Sequence, residues 1–403
     1  MSFQFQFRAG NRYVKHKDIY ETAHVMEHMA FGANADFKDE HAYEAEFTKN
    51  GAYHNAYTSD LSMVYVADCA DFEWERILRL QQVAICQPRF NQTELDAEKG
   101  NVKSELTGYL NNHNRVLWPK IQQLLGEDVY TFWQRLQTIS HVTLKDIREH
   151  HKRTHTSDNM RFVIAGKLEG RKAQIQRILN AWELPRGERF EVPRDELRSA
   201  NPTLIRRKEA SNLTFGWSMT LPRELADDEA EAMACLDQIL TGTMHSRIYG
   251  AARKKGLAYG MFSDTSVGFH DSSWDFGGQV NLDTADGLFD IIVRELTAVV
   301  SGKITEDELA AAKSYALGRY QMGAQTVSQI SNFYTNRYFG DGIVKDYDKV
   351  PDAIRSITLE RMLATAREFI AHNTWVLAGV SSGEKDEIVA LNKKLETIFS
   401  SKG

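Results

Sequence analysis

The sequence contains little of what marks secreted, membrane-spanning or disulfide-built proteins. It has only three cysteines in 403 residues, Cys69, Cys86 and Cys235, and this odd number at wide spacing excludes a disulfide scaffold and a cysteine-based metal site. No apolar run reaches the roughly 20 residues that span a bilayer, and the N-terminus lacks the charged-then-apolar pattern of a signal peptide. We therefore expect a soluble, cytoplasmic protein with reduced thiols and no membrane partner.

An excess of positive charge is also missing. The chain has 49 Lys and Arg residues against 55 Asp and Glu residues, a formal net charge of −6. A protein that binds nucleic acid by neutralising phosphates needs a basic surface, so we expect no nucleic-acid partner. With 42% hydrophobic residues, the chain is globular and long enough for two domains or more.

An internal repeat divides the chain into two halves. Three pairs of segments match at offsets between 213 and 215 residues: 93–99 with 307–313, 142–144 with 357–359, and 163–166 with 376–379. Nearly equal offsets at three places indicate a duplicated domain. Three of the seven prolines lie in or beside a polar stretch between the halves. We predict a first domain over residues 1–184, a linker over 185–201 and a duplicated domain over 202–403.

Each half alternates strand-like and helix-like segments. Residues 3–7 read Phe-Gln-Phe-Gln-Phe, the period of two that is typical of a strand. Residues 62–67 also predict a strand, and the amphipathic pattern of residues 72–87 predicts a helix after it. Sequential strands with helices on one face predict an α+β fold, with a mainly antiparallel sheet in each domain.

A short motif near the N-terminus carries the strongest chemical signal. His24 and His28 are four residues apart, so they lie on one side of a helix, and Glu27 lies on the same side. This arrangement is typical of a metal site with a base beside it. A five-residue match also arises by chance, and a lone histidine on a helix is usually a core or surface residue, so the motif alone leaves both interpretations open.

A second helix offers a further ligand. Zinc in a hydrolytic site takes three protein ligands and leaves one position for water. Asn91 followed by Glu94 predicts a helix start. Glu98 and Glu105 come seven residues apart after it, which places both carboxylates on one face.

The order of these residues resembles the pitrilysin/insulinase family of zinc peptidases, the inverzincins. The resemblance rests on His-x-x-Glu-His, on a Glu 77 residues after the second histidine, on the segment Gly-Ala-Tyr-His-Asn-Ala-Tyr-Thr at 51–58, and on Gly-Leu-Ala-Tyr at 256–259. The family implies two similar domains that form half of a clamshell. Family members generally carry a further strand or two before the position of residue 3. The resemblance therefore leaves open whether a targeting segment has been lost from the N-terminus.

The resemblance implies a ligand set and a mechanism. His24, His28 and Glu105 would hold Zn²⁺, and the ion would lower the pKa of a bound water toward about 7. Glu27 would take the proton of that water and deliver it to the leaving amine. Glu98 would orient a histidine or support the base, although a solvated helix face is its alternative.

The resemblance also implies substrate contacts. An extended peptide would pair with an edge strand at Asn55 and Ala56, whereas turn propensity alone also allows Asn55 to be a turn residue. In this family a Tyr and an Arg from the second half stabilise the oxyanion. Tyr259 occupies the Tyr position, but the usual Arg position holds Ala252, and Arg253 follows it. Either Arg253 contributes from a shifted register, or a partner subunit supplies the pair.

The second copy of the repeat acts as an internal control. The residues opposite the five candidates of the first copy are Ala234, Asp237, Gln238, Ala312 and Arg319. A fold that needed the five residues would be expected to keep them in both copies. Their loss indicates that their role in the first copy is chemical.

Another histidine group, His150, His151 and His155, also contains a four-residue spacing. No third ligand accompanies it, so we predict a solvated helix end.

We conclude from the sequence that the chain is a zinc metalloendopeptidase acting on peptides or unfolded segments. Family members of this length dimerise, so we expect a homodimer, or a heterodimer with a similar chain. The alternatives are a non-catalytic or partner-dependent subunit of a heterodimeric peptidase assembly, and a structural zinc protein.

Overall fold

The chain folds into two compact units in the computed structural model, which describes residues 1–400. The first unit contains residues 1–110, 130–193 and 323–347. The second unit contains residues 111–129, 194–322 and the chain from residue 348 onwards.

Both halves of the chain mix strands and helices. The first half contains β1 (Ser2–Phe7), α1 (Thr22–Met29), α2 (Glu40–Thr48), β2 (Tyr53–Thr58), β3 (Met63–Asp68), α3 (Trp74–Cys86), α4 (Gln92–Tyr109), α5 (His113–Leu125), α6 (Phe132–Thr138), α7 (Leu144–Thr154), β4 (Met160–Ala165) and α8 (Lys172–Asn180). The second half contains β5 (Thr203–Arg206), β6 (Asn212–Leu221), α9 (Asp227–Leu240), α10 (Tyr249–Lys254), β7 (Ala258–Val267), β8 (Ser272–Asn281), α11 (Leu282–Val300), α12 (Glu306–Met322), α13 (Val327–Tyr338), α14 (Val350–Ser356), α15 (Leu359–His372), β9 (Thr374–Ser381) and α16 (Lys385–Ser400). Within residues 1–400, none of these helices has the length and apolar character that a membrane crossing requires.

The two sheets repeat one topology. The first has the strand order β2-β3-β1-β4, and the second has β7-β8-β6-β9 with β5 added beside β9. All pairs are antiparallel except β5 with β9. The repeated Thr residues of the sequence, Thr143 and Thr358, cap the N-termini of α7 and α15. These correspondences confirm the α+β fold and the duplication.

The units differ from the predicted domains in two exchanged segments. Helix α5 precedes residue 184 but belongs to the second unit, and α13 follows residue 202 but belongs to the first. The apolar residues of α5 form a small core with one face of β9: Leu117, Ile121, Leu125, Val376, Ala378 and Val380. On the other face, Leu377 joins the main core of the second unit. The exchange therefore buries a sheet face that the remaining helices leave uncovered, and the predicted linker, residues 185–201, contains no helix or strand.

In the first unit, strand β1 is likewise covered by a helix from the other half of the sequence. Its three phenylalanines are fully buried in the core, as the alternating pattern predicts. The opposite face is buried too, because α13 covers it. The Gln4 side chain donates to Ser331 Oγ at 3.1 Å and to Asn332 Oδ1 at 2.6 Å. A polar strand face is thus satisfied by a polar helix face from the other half of the sequence.

The three histidines at the end of α7 are not a solvated helix end, and that prediction was wrong. His150 and His155 are only 4% and 1% exposed. The Nε2 atom of His150 lies 2.8 Å from the carbonyl oxygen of Ala9, and that of His155 lies 2.8 Å from the hydroxyl oxygen of Tyr65. Burial lowers the pKa of His150 to about 4 and the pKa of His155 well below its ordinary value. These rings are therefore neutral parts of the core.

Their burial predicts acid sensitivity. Because the folded-state pKa of His150 is below the unfolded value of about 6.5, its contribution to stability is present above pH 6.5 and is lost as the pH falls toward 4. For this ring alone we expect a loss of roughly 3 kcal/mol in the free energy of unfolding at pH 4. Urea unfolding between pH 7.5 and 4.5 would measure it. His150→Gln should flatten the pH dependence, whereas the exposed His141→Gln should not. Equal slopes for both variants would contradict the assignment.

Candidate metal centre

Three ligand-type side chains from two helices converge in the first unit. Helix α1 buries Val25, Met26 and Met29 and carries His24 and His28 toward α4. The Nε2 atom of His24 lies 3.3 Å from Oε2 of Glu105 on α4, and the Nε2 atom of His28 lies 3.4 Å from the same oxygen. Within residues 1–400, these three residues form the only group of His, Cys, Asp or Glu side chains close enough together to hold a metal ion.

The other nitrogen of each ring is held by a carboxylate. The Nδ1 atom of His24 lies 2.9 Å from Oε2 of Glu21, and the Nδ1 atom of His28 lies 3.0 Å from Oε2 of Glu98. Asn101 donates to both Glu98 oxygens at 3.1 Å, which fixes that carboxylate. An ionised carboxylate can only accept, so each Nδ1 carries the proton. Both rings in their neutral form then direct an Nε2 lone pair at Glu105.

This arrangement fits a zinc ion. Two lone pairs and a carboxylate oxygen that face one point repel each other unless a cation lies among them. Ligand atoms bound about 2.0–2.1 Å from a tetrahedral ion are roughly 3.3 Å from one another, and the two distances to Glu105 are 3.3 and 3.4 Å. Imidazole nitrogen and carboxylate oxygen are ordinary zinc ligands. The donor set therefore meets the chemical requirement, and its two distances to Glu105 match the geometric one.

The electrostatics of the cluster favour positive charge at the same point. Burial would lower the pKa of both histidines, but Glu105, with Glu21 beside His24 and Glu98 beside His28, outweighs it. The pKa of His24 is raised, and that of His28 is raised to about 10. The two histidines hold the pKa of Glu105 far below its usual range. A cation of either kind, proton or metal, is thus strongly stabilised there.

Sequence reasoning missed the residues that support this cluster. Glu21 is fully buried and accepts from Arg135 Nε at 2.5 Å and from Arg135 Nη2 at 3.0 Å. Tyr109 donates to Oε1 of Glu105. Helical spacing was an available signal for Glu21, three residues before His24, and for Tyr109, four residues after Glu105. No sequence signal points to Arg135, because α6 reaches α1 only through the tertiary fold.

Glu27 lies on α1 between the two histidines and is half-buried. Within residues 1–400 no hydrogen bond or ion pair engages its carboxylate, although its charge acts on neighbouring His28 and raises the pKa of that ring. A carboxylate that is close to the cluster and free of partners is available to exchange a proton.

The predicted substrate residues lie on β2, an edge strand of the first sheet. Ala56 is 5% exposed and packs into the core, whereas Asn55 is exposed. Both belong to the regular ladder with β3, opposite Tyr65 and Val66, so Asn55 is a strand residue and not a turn residue. The outer edge of β2 has no partner strand in the described sheet.

Tyr259 and Arg253 belong to the second unit. Tyr259 is 84% exposed and occupies a register shift between Ala258 and Gly260 at the start of β7. The Arg253 guanidinium carbon lies 4.5 Å from the centre of the Tyr259 ring. The structure thus pairs Arg253, and not Ala252, with this tyrosine.

In the second copy, the same helix position has a structural role. Asp237 on α9, opposite Glu27 in the repeat, accepts from Trp274 Nε1 at 2.9 Å and from Thr265 Oγ1 at 2.8 Å. Gln238 and Ala312, opposite His28 and Glu98, border a cavity of about 300 Å³. The duplicated fold therefore forms without any of the ligands.

Comparison with known sequences points to one family for both halves. The family model described as Insulinase (Peptidase family M16) matches residues 3–128, and the one described as Peptidase M16 inactive domain matches residues 141–315. The mitochondrial-processing peptidase subunit beta of Caenorhabditis elegans is 26% identical over 165 residues, 39% of this chain and 35% of that protein. The human subunit beta is 28% identical over 151 residues, 36% and 30% of the two chains. The chain thus spans about a third of the length of these relatives.

Solved structures show the same fold over nearly the whole chain. A protease from Helicobacter pylori superposes with a TM-score of 0.80 at 16% identity and covers 94% of both chains. A peptidase M16 inactive domain from Pseudomonas fluorescens superposes with a TM-score of 0.81 at 16% identity and covers 95% of this chain and 93% of that one. Two consecutive family matches between residues 3 and 315, on this fold, show that the chain belongs to the pitrilysin/insulinase (M16) peptidase family.

Proposed function

We propose that the protein is a zinc-dependent endopeptidase that hydrolyses peptide bonds in peptides or unfolded polypeptide segments. The observation that carries the proposal is the meeting of His24 Nε2, His28 Nε2 and Glu105 Oε2 at one point, with both Nδ1 atoms held by carboxylates. A metal centre with this outer support is typical of hydrolytic zinc sites.

Each residue of the centre has a distinct task in the proposed reaction. His24, His28 and Glu105 would hold zinc, which supplies a Lewis acid and lowers the pKa of a bound water toward about 7. The Glu27 carboxylate accepts a proton from the attacking water and passes it to the leaving amine nitrogen. Glu98 keeps the proton of His28 on Nδ1 and fixes the plane of that ring.

The free edge of β2 suits an extended substrate. A peptide that adds to this edge as a further strand would be held by main-chain hydrogen bonds, with Asn55 and Ala56 in the contacted segment. Such binding requires little side-chain specificity, so a broad preference follows. Tyr259 and Arg253 are the candidates for contacts to the oxyanion, with the corresponding pair of a partner subunit as the other source.

A partner-dependent subunit is the second candidate function. Two observations favour it: the match to residues 141–315 is described as an inactive domain, and the relatives are by name subunits of a processing peptidase. The inactive-domain match lies outside His24, Glu27, His28 and Glu105, which all fall within residues 3–128. A loss of chemistry in the second half therefore leaves the proposed centre intact, and the partner would be a similar chain.

Metal analysis together with a peptidase assay tests the proposal. We expect about one zinc ion per chain and hydrolysis of an unstructured, internally quenched peptide by the purified protein. A chelator should remove both, and zinc should restore both. Zinc without turnover would support the partner-dependent subunit, whereas full activity in metal-free protein would overturn the proposal.

A further inference from the structure

Helices α5 and α13 are equivalent elements of the repeat, but they dock in different ways. Helix α13 begins at Val327, 214 residues after His113, where α5 begins, and this spacing is the offset of the repeat. Helix α5 docks through apolar side chains, because Leu117, Ile121 and Leu125 are buried in a core with β9. Undocking α5 would expose this apolar surface to water, which is unfavourable.

Helix α13 docks through polar side chains instead. Its buried residues are Ser331 and Thr335. In the part of the chain that the structure describes, no residue of α13 belongs to an apolar core, and Phe339, which follows the helix and is buried, joins none either. The side chain of Gln4 on β1 donates to Ser331 and to the residue after it. Undocking would exchange these bonds for hydrogen bonds to water, which costs less than exposing apolar surface.

Two guanidinium groups hold the C-terminal end of α13. The Nη1 atom of Arg161 donates to the carbonyl oxygens of Tyr338 and Gly340, both at 2.7 Å. The Nη2 atom of Arg189 donates to the carbonyl oxygen between them, also at 2.7 Å. Among residues 1–400, neither arginine forms an ion pair with a carboxylate. Burial, with the charges of Arg161 and Arg8 adding to it, lowers the pKa of Arg189 to about 9. These positive charges repel one another while they hold the helix, so their hydration favours undocking.

The segment that contains α13 is also stabilised by contacts of its own. Thr326 caps the helix, since its Oγ1 accepts from a backbone N–H of the first turn at 3.2 Å. Arg337 pairs with Asp341 at 2.9 Å. The ring of Phe333 lies 4.9 Å from the ring of Tyr347, centre to centre. These contacts remain after undocking, so the helix can move as one piece.

We propose that residues 323–347 form a strap that leaves the first sheet and returns to it as one segment while the rest of the protein stays folded. Opening uncovers the outer face of β1 and β4. The chain on both sides of the strap belongs to the second unit. An open strap therefore stays tethered at both ends and can redock at a modest cost in entropy.

The strap also reaches the strand next to the proposed substrate edge. The Oγ atom of Ser328 donates to Oδ2 of Asp68 at 2.7 Å, and Asp68 on β3 is the ladder partner of Tyr53 on β2. Opening therefore releases the end of β3 beside β2. The strap does not rest on the proposed function, since its docking contacts need neither a metal nor a substrate.

Hydrogen–deuterium exchange followed by mass spectrometry tests the strap in the full chain. We expect peptides of α13 to exchange at least about 100-fold faster than peptides of α5, while those of β1 and β4 stay slow. Arg161→Met removes the bonds to the end of α13 and should raise exchange in that helix about another tenfold. The control is Arg79→Met, which removes an exposed guanidinium group on α3 and should leave α13 unchanged.

Three results would rule out the strap. Exchange in α13 as slow as in α5 would mean that α13 opens only when the protein unfolds. Exchange of α13 in step with β1 and β4 would mean that the whole first sheet opens with it. An unchanged rate in Arg161→Met would mean that α13 frays in place without leaving the sheet. Slow exchange of α5 in the same sample shows that a variant is folded.

Discussion

Replacing Glu27 by glutamine is expected to lower peptide hydrolysis by about 10³-fold while the bound zinc remains. Glu27 is not among the three residues whose ligand atoms converge, so the metal ligands are unchanged. Its carboxylate has no partner within residues 1–400, so no structural contact is lost. Glutamine has nearly the same shape but cannot accept a proton at neutral pH. The expected signature is a fall in kcat with little change in KM or zinc content.

The control for this variant is Glu75→Gln, which removes a partly exposed carboxylate on α3 that pairs with Arg79 at 3.0 Å and accepts from Gln174 at 2.6 Å. It should retain full hydrolysis and full zinc. If Glu27→Gln hydrolyses the peptide at the original rate, Glu27 is not the base. If Glu27→Gln loses its zinc, the carboxylate belongs to the ligand set and the assignment of roles in the centre is wrong.

The sequence predicts the centre well where local rules apply. Four-residue spacing places His24 and His28 on one face of a helix, and the structure has that helix as Thr22–Met29. The side chain of Asn91 accepts from the backbone of Glu94 at 2.9 Å, so the predicted start of α4 is confirmed. Helical phase then brings Glu98 and Glu105 to the same side. Each of these contacts depends on fewer than about three helical turns of sequence.

The features that the sequence did not predict depend on distant parts of the chain. Helices α5 and α13 each join the unit of the other half of the sequence because they cover sheet faces there that the other helices leave uncovered. The local sequence pattern of a helix is the same whichever unit it packs on, so it does not predict this exchange. The burial of His150 has the same origin, because its acceptor is the carbonyl of Ala9, 141 residues away. A polar residue in a helix looks solvated until the fold provides its partner.

Comparison with the duplicated half separates a carboxylate that holds the fold together from one that is free to react. Helix α9 repeats α1 in its place in the fold, and yet its Asp237 is used by Trp274 and Thr265 to tie the helix to the sheet. The corresponding Glu27 has no such contact. One helix position therefore serves the core in one copy and is left free in the other, which is the difference expected between a structural and a reactive carboxylate.

Removing the Arg135 guanidinium is expected to cost about 3–5 kcal/mol of folding stability and to weaken zinc binding by about 10–100-fold. The Glu21 carboxylate is fully buried. Burial alone would raise the pKa of Glu21, and Arg135 and His24 together hold it below its ordinary value. In Arg135→Met the buried carboxylate loses its two guanidinium hydrogen bonds and the permanent positive charge beside it, and keeps only the Nδ1 donor of His24. It also loses the contact that fixes its position on His24 Nδ1.

A double variant separates the two effects. Urea unfolding of metal-free protein and competition with a zinc chelator would be measured for Arg135→Met, Glu21→Gln and both changes together. The double variant has no buried carboxylate that lacks its guanidinium partner, so it should regain much of the stability. Its zinc affinity should stay low, because a neutral amide polarises His24 less than a carboxylate does. As a comparison, Arg79→Met breaks an exposed ion pair and should cost under about 1 kcal/mol. If the double variant were no more stable than Arg135→Met, lost packing and not the loss of the guanidinium charge beside Glu21 would explain the result. Glu21 and Arg135 would then be ordinary core residues next to the metal centre.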